Sequence, residues 1–183
     1  LLEYNIYRRN KGWENNYVSD GETIGLEYSD SILEGIKIRI VPKKNKSAGV
    51  AYSGYLEKTG FQERVGSGGI LGTQGKGLGL NSFRIELRHL PKEVGIKYQG
   101  YIKNSGWQNI KNEGEYAGFN QNGKNLCGVK IELTNTNEYS IQYRIYRHNF
   151  GWESWVSDGK IAGNEDNSGI IEAIQIKIVN NKQ

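Results

Sequence analysis

Four dipeptides, Gly12-Trp13, Gly60-Phe61, Gly106-Trp107 and Gly151-Trp152, recur along the chain in steps of 48, 46 and 45 residues. Spacing this regular restricts the chain to a repeat architecture. Each copy is then one supersecondary unit that buries its apolar face only against its neighbours. The rest of each copy stays in register. A tyrosine pair stands eight and five residues before each glycine: Tyr4 and Tyr7, Tyr52 and Tyr55, Tyr98 and Tyr101, Tyr143 and Tyr146. A spacing of three puts the two rings on opposite faces of a regular strand. One ring is expected to face a core and the other solvent or a neighbour.

Downstream, glycines recur four residues apart: Gly21 and Gly25, Gly68 and Gly72, Gly114 and Gly118, Gly159 and Gly163. The best-kept lead-ins are Val18-Ser19-Asp20-Gly21 and Val156-Ser157-Asp158-Gly159. Asp-Gly is a strong hairpin signal, because glycine supplies the positive φ that the turn requires. A short strand, a turn and a second short strand are therefore expected. Each copy closes on an alternating run: residues 36–40, 83–87, 129–133 and 174–178. Strict alternation implies a strand with one buried and one wet face. A small residue precedes each run (Gly35, Ser82, Gly128, Ala173), which points to close approach of another backbone or ring.

The expected fold class is all-β, a single array over residues 1–183 of four tandem repeats of about 45 residues and about three strands each. The repeats span residues 2–41, 50–88, 96–133 and 141–179. Repeats of this length suit a pseudosymmetric closed array. A prism or trefoil-like packing, with three copies plus one, and a four-bladed propeller both remain open, the threefold form placed first. Composition agrees with many short strands and tight turns: 25 Gly, 12 Tyr and 4 Trp, against 2 Pro. Both prolines, Pro42 and Pro91, fall between copies, where they cost a sheet nothing.

The formal net charge is +4, and the densest basic cluster, Lys43, Lys44 and Lys46, lies between two copies. A nucleic-acid binder shows a clustered basic stripe, so no nucleic-acid partner is expected. No apolar stretch approaches the ~18 residues of a membrane span. The chain has no Met, which suggests a processed protein or a piece of a longer one with neighbouring domains. Its one cysteine, Cys127, excludes an internal disulfide and reads as a small buried core residue.

The combined motif is a Tyr-x-x-Tyr step, then Gly-Trp-x-x-Trp-Val-Ser-Asp-Gly, Ala-Gly and Glu-Ala-Ile-x-Ile. It resembles the clostridial hydrophobic repeat with its signature tryptophan. The likeness is closest across Tyr143–Ile178 and extends over almost the whole chain. The first copy has one extra residue before Tyr17, which replaces the second tryptophan. The third has Ile110 at that place; the second has Phe61 for the first tryptophan and Arg64 for the other. The resemblance implies a secreted or surface-attached protein whose repeats bind carbohydrate, cell-wall or other cell-surface polymer. The alternative it carries is a protein-binding adhesin, or the receptor-binding part of a secreted toxin, with a host surface protein as partner.

Tryptophan after a turn glycine can stack on the C–H face of a sugar ring. Trp13, Trp107 and Trp152 are candidates on that ground, although an aromatic kept in all four copies also suits packing. Trp155, with Tyr17 at the equivalent place, is a stronger ligand candidate because it is not kept throughout. Asp20 and Asp158 can accept bonds from sugar hydroxyls, or simply cap their own turns. The loop Asn164–Asn167 is oxygen-rich but lacks the spaced carboxylates of a calcium loop. No metal site and no cofactor is expected. His89 and His148 lack nucleophilic partners at a telling spacing, and no carboxylate pair is nominated for glycoside hydrolysis. The chain is expected to bind, not to catalyse.

Overall fold

A computed structural model describes residues 2–19, 21–24, 32–40 and 47–182. The chain divides into two compact units, residues 1–46 and 47–183. Among the described residues there is no helix, and every strand pairing is antiparallel. Among the described strands, no sheet closes on itself.

The first unit is one repeat. Its strands are β1 (Leu2–Arg8), β2 (Gly12–Trp13), β3 (Val18–Ser19) and β4 (Leu33–Ile40). The short β2 and β3 lie along one edge of β1, and β4 lies along the other. The tyrosine-bearing segment and the alternating run thus form the long pair of the repeat.

The second unit contains three repeats of the same plan. The second repeat comprises β5 (Gly49–Leu56), β6 (Gly60–Phe61), β7 (Val65–Gly66), β8 (Leu71–Gly72) and β9 (Leu80–Arg88). The third comprises β10 (Gly95–Ile102), β11 (Gly106–Trp107), β12 (Lys111–Asn112), β13 (Ala117–Gly118) and β14 (Leu126–Thr134). The fourth comprises β15 (Tyr139–Arg147), β16 (Gly151–Trp152), β17 (Val156–Ser157), β18 (Ala162–Gly163) and β19 (Ile171–Asn180). Each therefore has two long strands and three two-residue strands, where about three strands were expected. The extra ones are the arms on either side of the turn glycines, too short to announce themselves by alternation.

The shortest strands decide the architecture, because they leave their own repeat. β8 of the second repeat pairs with β19 of the fourth. β13 of the third pairs with β9 of the second, and β18 of the fourth with β14 of the third. The exchange passes through all three repeats and returns to its start. A four-repeat prism or four-bladed propeller is not what this pairing describes; it links three repeats.

A β-bulge aims each long strand at its neighbour. The register of every long pair shifts at the end of the tyrosine strand, skipping Glu34, Asn81, Cys127 and Glu172 in turn. A bulge leaves one residue unpaired and turns its groups away from the ladder. The freed carbonyls of Asn81, Cys127 and Glu172 accept the N–H groups of Phe119, Asn164 and Thr73 from the adjoining repeat, at 2.9, 2.9 and 3.0 Å. The crossing is close enough to demand glycine. A Cβ on Gly72, Gly118 or Gly163 would lie 2.1–2.2 Å from those same carbonyl oxygens, and all three residues have φ near +100°.

The core of the second unit lies where the inner faces of the three long pairs converge. Tyr52, Tyr98 and Tyr143, Phe83, Val129 and Ile174 are all buried there. Each tyrosine hydroxyl ties two repeats together. It donates to a carbonyl of its own hairpin (Gly69, Glu115, Lys160) and accepts an N–H of the adjoining repeat (Ile176, Ile85, Ile131), each at 3.1 Å. A phenol buried with both functions satisfied is the low-cost way to place a polar atom in a core. Cys127 is fully buried as expected, and burial pushes its thiol up.

Candidate functional site

The second tyrosine of each pair takes the opposite course, as its spacing of three predicted. Tyr7, Tyr55, Tyr101 and Tyr146 face outward, and each meets the aromatic of the following dipeptide edge to face. Tyr7–Trp13, Tyr55–Phe61, Tyr101–Trp107 and Tyr146–Trp152 have centroids 5.3–5.6 Å apart. The recurrent small residue lies opposite the tyrosine in the ladder: Gly35, Ser82, Gly128 and Ala173. In the first repeat the Trp13 ring overhangs Gly35, where an added Cβ would meet it at 3.5 Å. Trp13, Trp107 and Trp152 are thus neither core nor free. They pack on the outer face of the sheet, with Trp13 39 % exposed.

Two of the three rings are held by bonds from the adjoining repeat. Trp152 Nε1 donates to Gln74 Oε1 at 2.8 Å, and Trp107 Nε1 donates to the Glu165 carboxylate. Gln74 and Glu165 stand on the loops that follow exchanged strands, so strand exchange also orients the outer tryptophans. The oxygen-rich loop Asn164–Asn167 is accounted for in the same way. Asn167 Oδ1 accepts the N–H of Asn104 and Asp166 accepts that of Ser168, both at 2.8 Å. The bond from Ser168 holds the Asp166 carboxyl below its ordinary range. Among the described residues, no group of three or more His, Cys, Asp or Glu is placed to hold a metal ion.

The loop contacts also explain two buried polar residues that alternation did not reveal. Glu172 is fully buried; its carboxylate accepts the N–H groups of Lys76 and Gly77 at 2.9 and 3.1 Å and meets His148 Nδ1. Asn81, in the same place one repeat away, donates to Glu57 at 2.8 Å and to the Gln121 carbonyl at 2.7 Å. Glu57 accepts from Asn81 and from the Gly123 N–H, which holds its carboxyl below the usual value. His148 therefore serves a structural anchor.

The place four residues after the dipeptide glycine, five in the first repeat, distinguishes the repeats. It holds Tyr17, Arg64, Ile110 and Trp155. Opposite it, the alternating run presents Arg39, Glu86, Glu132 and Lys177 in the same order. Lys177 Nζ lies 4.4 Å from the Trp155 ring centroid, and the Arg39 guanidinium 3.9 Å from that of Tyr17. In the second and third repeats the acid is paired instead, Glu86 with Arg64 at 3.3 Å and Glu132 with Lys97 at 2.8 Å.

The fourth repeat carries the fullest outward array. The Arg144 guanidinium stands 4.7 Å from the Trp152 centroid and 4.8 Å from that of Trp155, so it bridges the two rings. Gln175 Oε1 accepts from Arg144 Nε at 2.8 Å and fixes its plane. Among the described residues no carboxylate forms an ion pair with Arg144 or Lys177, whereas Arg39 of the first repeat is clasped by Glu3 at 2.7 Å. Sequence reasoning singled out Trp152 and Trp155 but missed Arg144 and Lys177. Their signal was a cation at alternate, wet positions of two different strands, which means nothing until the strands are paired.

Asp158 ends the short hairpin with φ +23°, and its Oδ1 accepts the Ile141 N–H at 3.2 Å. It holds the start of β15. Asp20 is outside the described residues. The third repeat offers a shallow groove lined by Lys97, Gln99, Ile110, Lys130 and Glu132. Lys130 also stands 4.3 Å from the Trp107 ring.

No helix among the described residues is long and apolar enough to cross a membrane. No curated protein and no solved structure matches the chain. Residues 101–135 and 148–180, within the third and fourth repeats, match the family described as Clostridial hydrophobic W.

Proposed function

We propose that the chain is a binding module that recognises carbohydrate or a cell-wall or cell-surface polymer through the outer face of its repeats. The supporting observation is Arg144 set between Trp152 and Trp155, with Lys177 against the second ring and, among the described residues, no carboxylate paired to either cation. Flat indole surface suits the apolar face of a sugar ring. Unpaired guanidinium and ammonium groups suit carboxylate or phosphate substituents on the same polymer. The surface is open, which fits a long ligand lying across it better than a small one enclosed. We infer a pseudo-threefold, prism-like packing for residues 47–183, which turns the outer faces of its three repeats in different directions. We also place the protein outside the cell, secreted or surface-attached, as a non-catalytic part.

The test is binding of the purified chain to bacterial and host glycans and to cell-wall fractions, alongside Trp155→Ala and Arg64→Ala. Binding that falls about tenfold or more with Trp155→Ala and is unchanged by Arg64→Ala supports the reading; tenfold corresponds to ~1.4 kcal/mol. A folded chain that binds no glycan or wall fraction, or equal effects of the two substitutions, overturns it.

A further inference from the structure

The first repeat displays the face that the other repeats bury. On β4, Leu33, Ile36, Ile38 and Ile40 are 56, 56, 60 and 83 % exposed. In the third repeat Leu126, Val129 and Ile131, at the first three of these places, are fully buried. Their counterparts in the second and fourth repeats are buried as well. A contiguous apolar strip of this kind on a folded unit marks a surface that meets another protein surface.

Residues 47–183 show what meets it. In each of its repeats the strip is covered by another repeat of the same kind, in one fixed manner. A two-residue strand pairs with the outer edge at the small residue and the next apolar one. A turn glycine (Gly68, Gly114 or Gly159) donates its N–H to the carbonyl of Ile176, Ile85 or Ile131 at 2.8–2.9 Å. A tyrosine hydroxyl accepts the N–H of that same isoleucine.

The first repeat carries both halves of this joint. Its receiving half is β4, where no strand among the described residues pairs with the outer edge at Gly35 and Ile36. The other half is Tyr4 and Gly21, in register with Tyr52 and Gly68; in sequence it is continued by Ile24-Gly25, which matches Leu71-Gly72 and whose Gly25 lies outside the described residues. The Tyr4 hydroxyl already donates to the Glu22 carbonyl, as Tyr52 does to that of Gly69.

We infer that the first repeats of three separate chains join by this same cyclic exchange, so that the chain is a homotrimer held through residues 2–40. The occupant of the exposed strip is thus the first repeat of another copy. Three is the number the joint selects. In residues 47–183 each repeat passes a strand to the next and the exchange returns after three, whereas two copies would leave an edge and an apolar strip uncovered.

The test is the mass of the intact 183-residue chain in solution by light scattering and sedimentation, over a dilution series. The expected result is three times the chain's 20.6 kDa, falling to one times on dilution. Amide exchange at Ile36 and Ile38 should quicken on dilution, while exchange in β9, β14 and β19 stays constant. Ile38→Lys should leave a single-chain particle with the unfolding temperature of residues 47–183 unchanged. A wild-type chain that is monomeric or dimeric throughout overturns the inference, as does a trimer that survives Ile38→Lys. The dilution series uses no variant, so an unfolded Ile38→Lys first repeat does not blunt it.

Discussion

The hydroxyl of Tyr143 accepts the backbone N–H of Ile131 at 3.1 Å, joining the fourth repeat to the third through an atom with no exposure to water. Tyr52 with Ile176 and Tyr98 with Ile85 repeat the bond at the same distance. Tyr143→Phe removes the acceptor and leaves the Ile131 N–H buried and unpaired. The expected loss is ~1–3 kcal/mol of stability, read as a lower denaturant midpoint with an unchanged m-value. The same change at half-buried Tyr139 should cost far less.

Alkaline pH should open the second unit. Burial pushes the Tyr52, Tyr98 and Tyr143 hydroxyls up to about 12 each, against an opposing pull from the N–H groups they accept. The native state therefore keeps these protons where the unfolded chain has lost them. Stability from this source is complete below pH about 10 and is lost as pH rises toward 12. Tyrosinate absorbance and near-ultraviolet circular dichroism should then change together in one step. Smooth titration of all tyrosines with the fold intact at pH 12 would contradict the burial argument.

Gly118→Val should be among the most damaging single changes. The new Cβ would lie 2.1 Å from the Asn81 carbonyl oxygen, at a φ of +99°. The exchanged strand must move away or the backbone must strain, and about 3 kcal/mol or more is expected. Gly106 also has positive φ but no atom within 4 Å of its Cβ position, so Gly106→Ala should show the backbone cost alone. Thermal unfolding of the two variants separates the terms.

The outer face of the fourth repeat should respond to salt. If Arg144 and Lys177 meet anionic groups of a polymer, affinity should fall as ionic strength rises through the range where the screening length drops below ~10 Å. Arg144→Gln should flatten that dependence and leave the unfolding temperature nearly unchanged. Arg144→Lys, which keeps the charge but not the planar fork between two rings, should recover only part of the affinity.

Much of this was legible from residue spacing. The tyrosines at eight and five residues before each glycine gave one inward and one outward ring, and the alternating runs gave the long strands. The small residue before each run announced the close approach that Trp13 makes over Gly35. Partner choice was not legible. Leu71-Gly72 is two residues long, and nothing in a dipeptide states that it pairs with Ala173 and Ile174, about a hundred positions away, and not with its own repeat. For the same reason nothing in the sequence marks Glu172 as buried. Its burial follows from the bulge that turns it toward Lys76 and Gly77, and bulges leave no period of their own. At the candidate site, the rings were found by recurrence, but Arg144 needed the pairing of β15 with β16 before it could be seen between them.

The returning strand exchange also governs how such a protein can grow or shrink. In an open stack, each added copy contributes its own interface, and the ends can fray one copy at a time. A circle of three has no end from which to fray, so removing one copy breaks two of its three joints at once. The three repeats are then expected to unfold together in one step, where an open stack would lose them one by one.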